Sequence, residues 1–284
     1  MEKLKILLPK GRIYENVISL FSGAGISIKL PDRAYRPTVN QDDLEAKVMK
    51  PQNIGKLLEL GAHDVGFTGR DWVEETGADV VEIMDLGFDA VRIVAAVPNA
   101  IDDNMLKSKR VIVATEYEKI AKKWLDENKI NSLIVRTYGA TEVFPPDDSD
   151  MIIDNTSTGR TLVENGLRIV DTIMYSSTCM FASKTAMENP DKKKKIMELK
   201  MLFEAVLDAR DRVMLEMNVV KERFEDLVKG LPAMRSPTVA TLYGDDGYAI
   251  KIAVNRSEVP TLLPRLKELG ATDILEYELR KVLA

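Results

Sequence analysis

Short apolar runs alternate with stretches of helical period over roughly the first 185 residues. Residues 4–8 form an apolar run of strand length. Pro9-Lys10-Gly11-Arg12 turns from it into a helix whose apolar positions Ile13, Val17, Leu20 and Phe21 share one face, closed by Gly23 or Gly25. Strands follow at 26–30 and 46–49, and a helix over 52–60 stops at Gly61. A short buried strand at 65–67 leads into Thr68-Gly69-Arg70-Asp71, and residues 80–86 and 91–97 read as two further strands. A second unit begins near Pro98. It has strands at 110–114, 133–135 and 151–153, a helix over 117–127 that buries Ile120, Ala121, Trp124 and Leu125, and a helix start over 158–165. Residues 179–182 read as a strand returning toward the first unit. This alternation predicts an α/β layer with a largely parallel sheet. Two such lobes joined by crossing strands leave a cleft between them, and clefts of that kind are preferred ligand sites.

The pattern then changes. Residues 191–212 read as one long helix with Ile196, Leu199, Leu202, Phe203 and Val206 as its buried stripe, which leaves the run Lys192, Lys193, Lys194 and Lys195 as a solvated face. Beyond it come a strand (213–217), a helix (222–228), two strands (239–242 and 248–254), a helix (259–269) and a strand (274–277). The order βαββαβ is the ferredoxin-like arrangement. Gly244-Asp245-Asp246-Gly247 between its middle strands is a hairpin signal. This last unit shows no catalytic cluster.

Composition narrows the function. A chain of 284 residues is longer than one core usually organises, so two or three domains are expected. With 45% apolar and 30% charged residues it reads as an ordinary globular protein. A formal net charge of −5 argues against nonspecific nucleic-acid binding, but local basic side chains suffice for a polyphosphate. Cys179 is the single cysteine, so no internal disulfide forms; it is expected to be buried as a small apolar residue in an intracellular protein. His63 is the single histidine, which argues against a His-rich zinc site and gives His63 a structural role. The start of the chain has too short an apolar run for a signal peptide, and no segment reaches a membrane-spanning length. The expected location is the cytoplasm.

The strongest chemical signal runs from Met151 through Asp154 and Asn155 to Leu162. An apolar strand meets an acid, then a hydroxyl-rich loop with one glycine, then a helix. Such a turn aims backbone N–H groups and hydroxyls at one place beside the positive end of a helix dipole, which suits a terminal phosphate monoester. Asp154, just ahead, is placed to accept hydrogen bonds from ribose hydroxyls. A helix cap needs only one hydroxyl residue; here Thr156, Ser157, Thr158 and Thr161 crowd around Gly159, which favours the phosphate reading.

This run resembles the phosphoribosyl-pyrophosphate loop of ATP phosphoribosyltransferases. The resemblance extends to Leu8-Pro9-Lys10-Gly11-Arg12, Asp64-Val65-Gly66, Thr68-Gly69-Arg70-Asp71, Gly139-Ala140-Thr141-Glu142-Val143, Glu164-Asn165-Gly166-Leu167, Leu231-Pro232 and Ser236-Pro237-Thr238. It therefore covers nearly the whole chain and points to the long form of that family. Two places depart from the family pattern: residues 143–150 lack the glycine usual after Glu-Val, and Asn155 stands where an apolar residue is more usual.

The resemblance implies two lobes similar to type II periplasmic binding proteins, followed by an ACT-like regulatory domain. Lobe I would take residues 1–97 and 179–212, lobe II residues 98–178, and the regulatory domain residues 213–284. The implied reaction joins ATP to phosphoribosyl pyrophosphate, the first step of histidine biosynthesis, with magnesium held mainly through substrate oxygens rather than by side chains. Thr156, Ser157, Thr158, Gly159, Arg160 and Thr161 are expected at the 5-phosphate, with Asp154 at the ribose and Glu142 at the ribose or the magnesium. Lys10, Gly11, Arg12, Thr68, Gly69, Arg70 and Asp71 are expected at ATP or the pyrophosphate, with Lys10, Arg12 and Asp154 as the catalytic set. The alternatives are surface ion pairs for Arg12 and Arg70 and a helix cap for Asp71. Asn218, Met234, Ser236 and Thr238 are expected to bind histidine as an inhibitor, in a homo-oligomer ranging from dimer to hexamer. Two other readings stay open: a phosphoribosyltransferase for a free base, and a non-enzymatic small-ligand sensor of the same two-lobed fold.

Overall fold

The computed structural model of the chain describes residues 2–31, 34–102, 105–232, 236–244 and 246–283, and of residues 105 and 107 the backbone alone. The strands are β1 (Leu4–Pro9), β2 (Ile28–Lys29), β3 (Thr38–Val39), β4 (Leu44–Met49), β5 (Val65–Gly69), β6 (Val81–Pro98), β7 (Val111–Thr115), β8 (Ser132–Arg136), β9 (Met151–Thr156), β10 (Leu167–Ala182), β11 (Arg212–Val220), β12 (Thr238–Thr241), β13 (Gly247–Asn255) and β14 (Thr272–Glu278). Two compact units result: Met1–Ser19 with Ser27–Met197, and Leu20–Ile26 with Glu198–Ala284.

The first unit is α/β. Its eight-stranded sheet has the order β4-β1-β5-β10-β6-β9-β7-β8. Parallel pairings at one end (β4–β1–β5) and at the other (β9–β7–β8) are joined by antiparallel pairings of β10 with β5, β10 with β6, and β6 with β9. The sheet is thus mixed, and its antiparallel middle is built from two long strands that the apolar pattern does not display. The expected pair 80–86 and 91–97 is one 18-residue strand. Gly87 and Asp89 look like a turn and do adopt positive φ (+68° and +50°). The distortion is absorbed as a bulge, because Asp85 Oδ1 accepts the Gly87 N–H at 2.8 Å and the register against β10 shifts around Thr178. Likewise the expected strand at 179–182 is only the end of β10, whose first part (Asp171, Thr172, Tyr175, Ser176) is too polar to read as a core strand.

The expected strand at 26–30 is confined to β2, paired with β3 in a separate two-stranded ribbon; Pro31 ends it for want of an N–H. The helix Pro190–Arg210 matches the expected one, but the lysine run is not all solvated. Lys192 pairs with Asp64 at 3.1 Å and Glu2 at 2.9 Å, and Lys195 with Asp43 at 3.0 Å. Both side chains are largely covered, while Lys193 and Lys194 face solvent. Asp64 is nearly fully buried and also accepts the Lys5 N–H at 2.8 Å, so the run includes a structural clamp. Cys179 is fully buried; His63, partly buried, has its pKa lowered by desolvation.

The second unit holds an antiparallel sheet of order β12-β13-β11-β14, the ferredoxin-like order. Helices Phe224–Lys229 and Val259–Glu268 complete the βαββαβ unit, and Leu227, Leu262 and Leu266 pack with Val213, Leu215, Ile250 and Ile252 as its core. Gly244 has φ +73°, as the hairpin between β12 and β13 requires, and Asp245 of that hairpin lies outside the described residues.

Gly66 in β5 shows how tightly the first sheet is covered. A Cβ there would lie 2.5 Å from Ile54 Cγ2 and 3.1 Å from Leu58 Cδ1, both fully buried on the helix Pro51–Glu59. Gly66→Ala should therefore destabilise the chain by about 1–3 kcal/mol, as overpacking does. Denaturant unfolding with an unchanged midpoint would contradict this account of the interface.

Candidate active site

β9 delivers the site. Its apolar start (Met151, Ile152 and Ile153, all fully buried) anchors it in the sheet, and its end releases Asp154, Asn155 and Thr156 at the surface of a cavity of about 350 Å³. Ser157, Thr158 and Thr161 also line this cavity, as do Arg12 and Glu142. Gly159 turns the loop with φ +80°, a conformation costly for residues with a Cβ. Thr156 Oγ1 accepts the Gly159 N–H at 3.0 Å, and Thr158 Oγ1 accepts the Arg160 N–H at 3.4 Å. Both hydroxyls act as acceptors within the loop, so their own protons remain free to donate to an anion. The helix Arg160–Glu164 that follows is a single turn. Its dipole contributes little, so the hydroxyls and N–H groups are the loop's main donors toward the cavity.

Asp154 is held at a cost. Burial pushes its carboxyl up to about 6, against the pull of the Asn155 N–H and the Thr141 hydroxyl; Glu116 and Glu142, also negative, push the same way. The Asn155 N–H reaches Asp154 Oδ1 at 2.7 Å, and the Asn155 amide donates to the same oxygen at 3.2 Å.

That amide also donates to Tyr117 Oη at 3.1 Å. Tyr117 is almost fully buried and donates in turn to Asp71 Oδ2 at 2.9 Å. Ser176 donates to Asp71 Oδ1 at 2.7 Å and accepts the Asp71 N–H at 3.0 Å. Burial and the negative Asp71 raise the Tyr117 pKa, so the phenol stays protonated and keeps donating. Asp71 therefore spends its oxygens on Ser176 and Tyr117 rather than on capping the helix Arg70–Thr76. Asp71, Tyr117, Asn155 and Ser176 line a second cavity of about 170 Å³ that shares Arg12, Val91 and Asn155 with the first.

The remaining expected residues separate. Arg12 faces both cavities with its side chain 72% exposed while pairing with Asp89 at 2.8 Å, so the ion pair and the site coincide. Gly69 borders the second cavity. Lys10, two residues before Arg12, stacks over the Tyr35 ring at 5.4 Å, and Gly11 supplies the turn with φ +92°. Thr68 is fully buried and donates to the Pro51 carbonyl, away from both cavities. Arg70 is held by Glu82 and Asp85, the surface ion pair foreseen as its alternative. Arg160 is exposed and paired with Glu164. Tyr117, Asn155 and Ser176 were not expected in the site. Tyr117 follows the C-terminal end of the parallel strand β7, where α/β sheets collect ligands, and that position was the available signal.

A family model described as ATP phosphoribosyltransferase matches residues 50–205, and one described as HisG, C-terminal domain matches residues 209–281. The ATP phosphoribosyltransferase of Chlorobium phaeobacteroides is 39% identical over 99% of this chain and 97% of that protein. That of Pelotomaculum thermopropionicum is 39% identical over 99% of both. Among solved structures, the ATP phosphoribosyl transferase (HisG:HisZ) complex from Thermotoga maritima shares the fold, with a TM-score of 0.63 at 24% identity over 71% of this chain and 98% of that one. The chain is therefore a transferase, of the class that moves glycosyl groups. It belongs to the ATP phosphoribosyltransferase family of histidine biosynthesis, and its C-terminal domain makes it a long-form member.

Asp154 gives the site a measurable signature. A carboxyl whose folded value is about 6, above its unfolded value near 4, favours folding fully only below the unfolded value. That contribution is lost as pH rises through 6. Asp154→Asn should therefore be more stable than the parent at pH 7.5, by about 1–3 kcal/mol, with the gap closing by about pH 4. A gap that does not change with pH would show that Asp154 titrates normally.

Proposed function

We propose that this chain joins ATP to 5-phosphoribosyl 1-pyrophosphate at the two cavities behind β9, releasing pyrophosphate. The observation that carries the assignment is the hydroxyl-lined cavity, where Thr156, Ser157, Thr158 and Thr161 surround one space directly beside the half-buried Asp154. The hydroxyls and loop N–H groups take the 5-phosphate, with Gly159 setting the turn. Asp154 accepts from the ribose hydroxyls, and Glu142 stands on the same wall. Arg12, facing both cavities, is the cation best placed for the pyrophosphate; Lys10 assists from the preceding turn.

Adenine N1 supplies the electron pair that forms the new bond to the anomeric carbon, and the bond to pyrophosphate breaks with its electrons leaving on the pyrophosphate oxygen. Little proton transfer is needed during attack, so positioning and charge neutralisation carry the rate. Among the described residues no group of three or more His, Cys, Asp or Glu converges to hold a metal. Magnesium would be held mainly by substrate oxygens, with Asp154 and Glu142 as the nearby carboxylates. Bound in that way, the ion would offset charge on the departing pyrophosphate. Among the described residues no helix is long and apolar enough to cross a membrane, and a cytoplasmic setting belongs to the same reading.

Pyrophosphate release that requires both ATP and phosphoribosyl pyrophosphate tests the reaction, with adenine and hypoxanthine as control acceptors. Release with either free base in place of ATP would favour the free-base enzyme, and no release at all the ligand sensor. Gly159→Val should lose binding of phosphoribosyl pyrophosphate by at least tenfold while remaining folded, because a β-branched residue resists φ +80°. Unchanged affinity by calorimetry would remove the loop from the site. Asp154→Asn should lower kcat at saturating substrates by tenfold or more.

We further infer that the ferredoxin-like unit binds histidine as a feedback inhibitor. Asn218 lies on β11 and donates to Asp273 Oδ2 on β14 at 3.1 Å. Asp273 supplies there the carboxylate that Asn218 lacks for an amino acid's ammonium group. Ser236 and Thr238 are exposed at the start of β12, and Met234 lies outside the described residues. Millimolar histidine should inhibit the full chain and shift it from dimer toward hexamer in analytical ultracentrifugation. Asp273→Ala should raise the inhibitory concentration about tenfold. Full-length activity that ignores millimolar histidine would end this reading.

A further inference from the structure

Beyond the reaction cavities the first unit holds two further spaces among its described residues. One, of about 540 Å³, is lined by Gln52, Asn53, Trp72, Glu116 and Arg136; the other, of about 310 Å³, shares these and adds Lys50. Trp72 also lines the 170 Å³ cavity of Asp71 and Tyr117. It is the side chain common to all three spaces, so it stands where the reaction centre opens into the wider cleft.

Its orientation is fixed. The indole stacks on the Tyr117 ring with centroids 4.6 Å apart and planes 23° apart. Tyr117 is itself held by hydrogen bonds to Asp71 and from Asn155. Trp72 remains only half-buried. A flat, half-open indole braced from behind is a stacking surface already in position, and every nucleobase has a face to offer it. The amides of Gln52 and Asn53 suit the polar edge of such a ring. Lys50 and Arg136, on the wall of the adjoining space, suit a polyphosphate; among the described residues Arg136 is engaged by Glu118 at 3.3 Å and over the Tyr138 ring, both at exposed positions.

We propose that Trp72 is the shelf for the adenine ring of ATP, with the reacting edge of the base toward the Arg12–Asn155 wall and the triphosphate toward Lys50 and Arg136. This rests on the reaction proposed above, and pyrophosphate release by the unaltered enzyme tests that reaction separately. Trp72→Val should raise KM for ATP about tenfold or more, the usual scale for losing one base–aromatic stack, and leave KM for phosphoribosyl pyrophosphate within twofold. Trp72→Phe should keep KM for ATP within about threefold. The chain has two tryptophans, and the other, Trp124, is buried with its Nε1–H bonded to Asp171. In Trp124→Phe the remaining emission therefore reports on Trp72, and added ATP should quench it. An unchanged KM for ATP in folded Trp72→Val, equal rises in both Michaelis constants, or no quenching in Trp124→Phe overturns the proposal. Should Trp72→Val fail to fold, the emission experiment alone decides.

Discussion

The long antiparallel pairing of β6 with β10 is the constraint on which the site depends. One end of β10 pairs with β5, which sets Ser176 against the start of the helix carrying Asp71. The middle of β6 pairs with β9, which sets Asp154 opposite Val94. Tyr117 arrives from β7, on the far side of β9. Four strands thus bring Asp71, Tyr117, Asn155 and Ser176 into one hydrogen-bonded chain, though the residues lie up to 105 positions apart in sequence. A slip of one residue in a strand would turn its side chains to the opposite face. The bulges near Gly87 and Thr178 set that register, so residues that look like interruptions in the sequence are what place the site.

The chemistry works against the fold locally. Asp154 is half-buried with Glu116 and Glu142 near it, and its carboxyl resists ionisation. An acid kept in such a place weakens the native state at neutral pH, and the apolar layers on either side must offset it. Ile93, Val113, Met151 and Ile153 supply one layer, and Val94, Ala96, Ala114 and Ile152 the other. β9 belongs to both: its side chains alternate between two cores up to Ile153, and polarity begins one residue later. The boundary between packing and function is a single peptide unit wide.

This division explains what the sequence made legible. Strands with apolar faces on both sides (β1, β5, β7 and the start of β9) stand out, as do the ferredoxin-like order and the hydroxyl-rich loop at 156–161, whose residues are contiguous. β6 and most of β10 do not stand out, because a strand that crosses between lobes exposes part of its length and carries Asp, Ser and Thr there. Tyr117 and Ser176 were missed because their partner is distant: nothing local to Tyr117 indicates that its hydroxyl will meet Asp71. Thr68 erred in the other direction. It sits in a site-like motif, yet its hydroxyl secures the carbonyl of Pro51 at the start of a helix. The Lys192 clamp was hidden for the same reason, since Asp64 lies 128 positions earlier.

Cys179 has a practical consequence. It is fully buried in β10, and desolvation pushes its thiol up to about 12, so at neutral pH it carries almost no thiolate. Electrophilic dyes and spin labels should leave the native protein untouched. A cysteine introduced elsewhere on the surface would then be the sole reactive thiol. The natural chain is thus already a clean background for attaching one probe at a chosen position and reading its local surroundings.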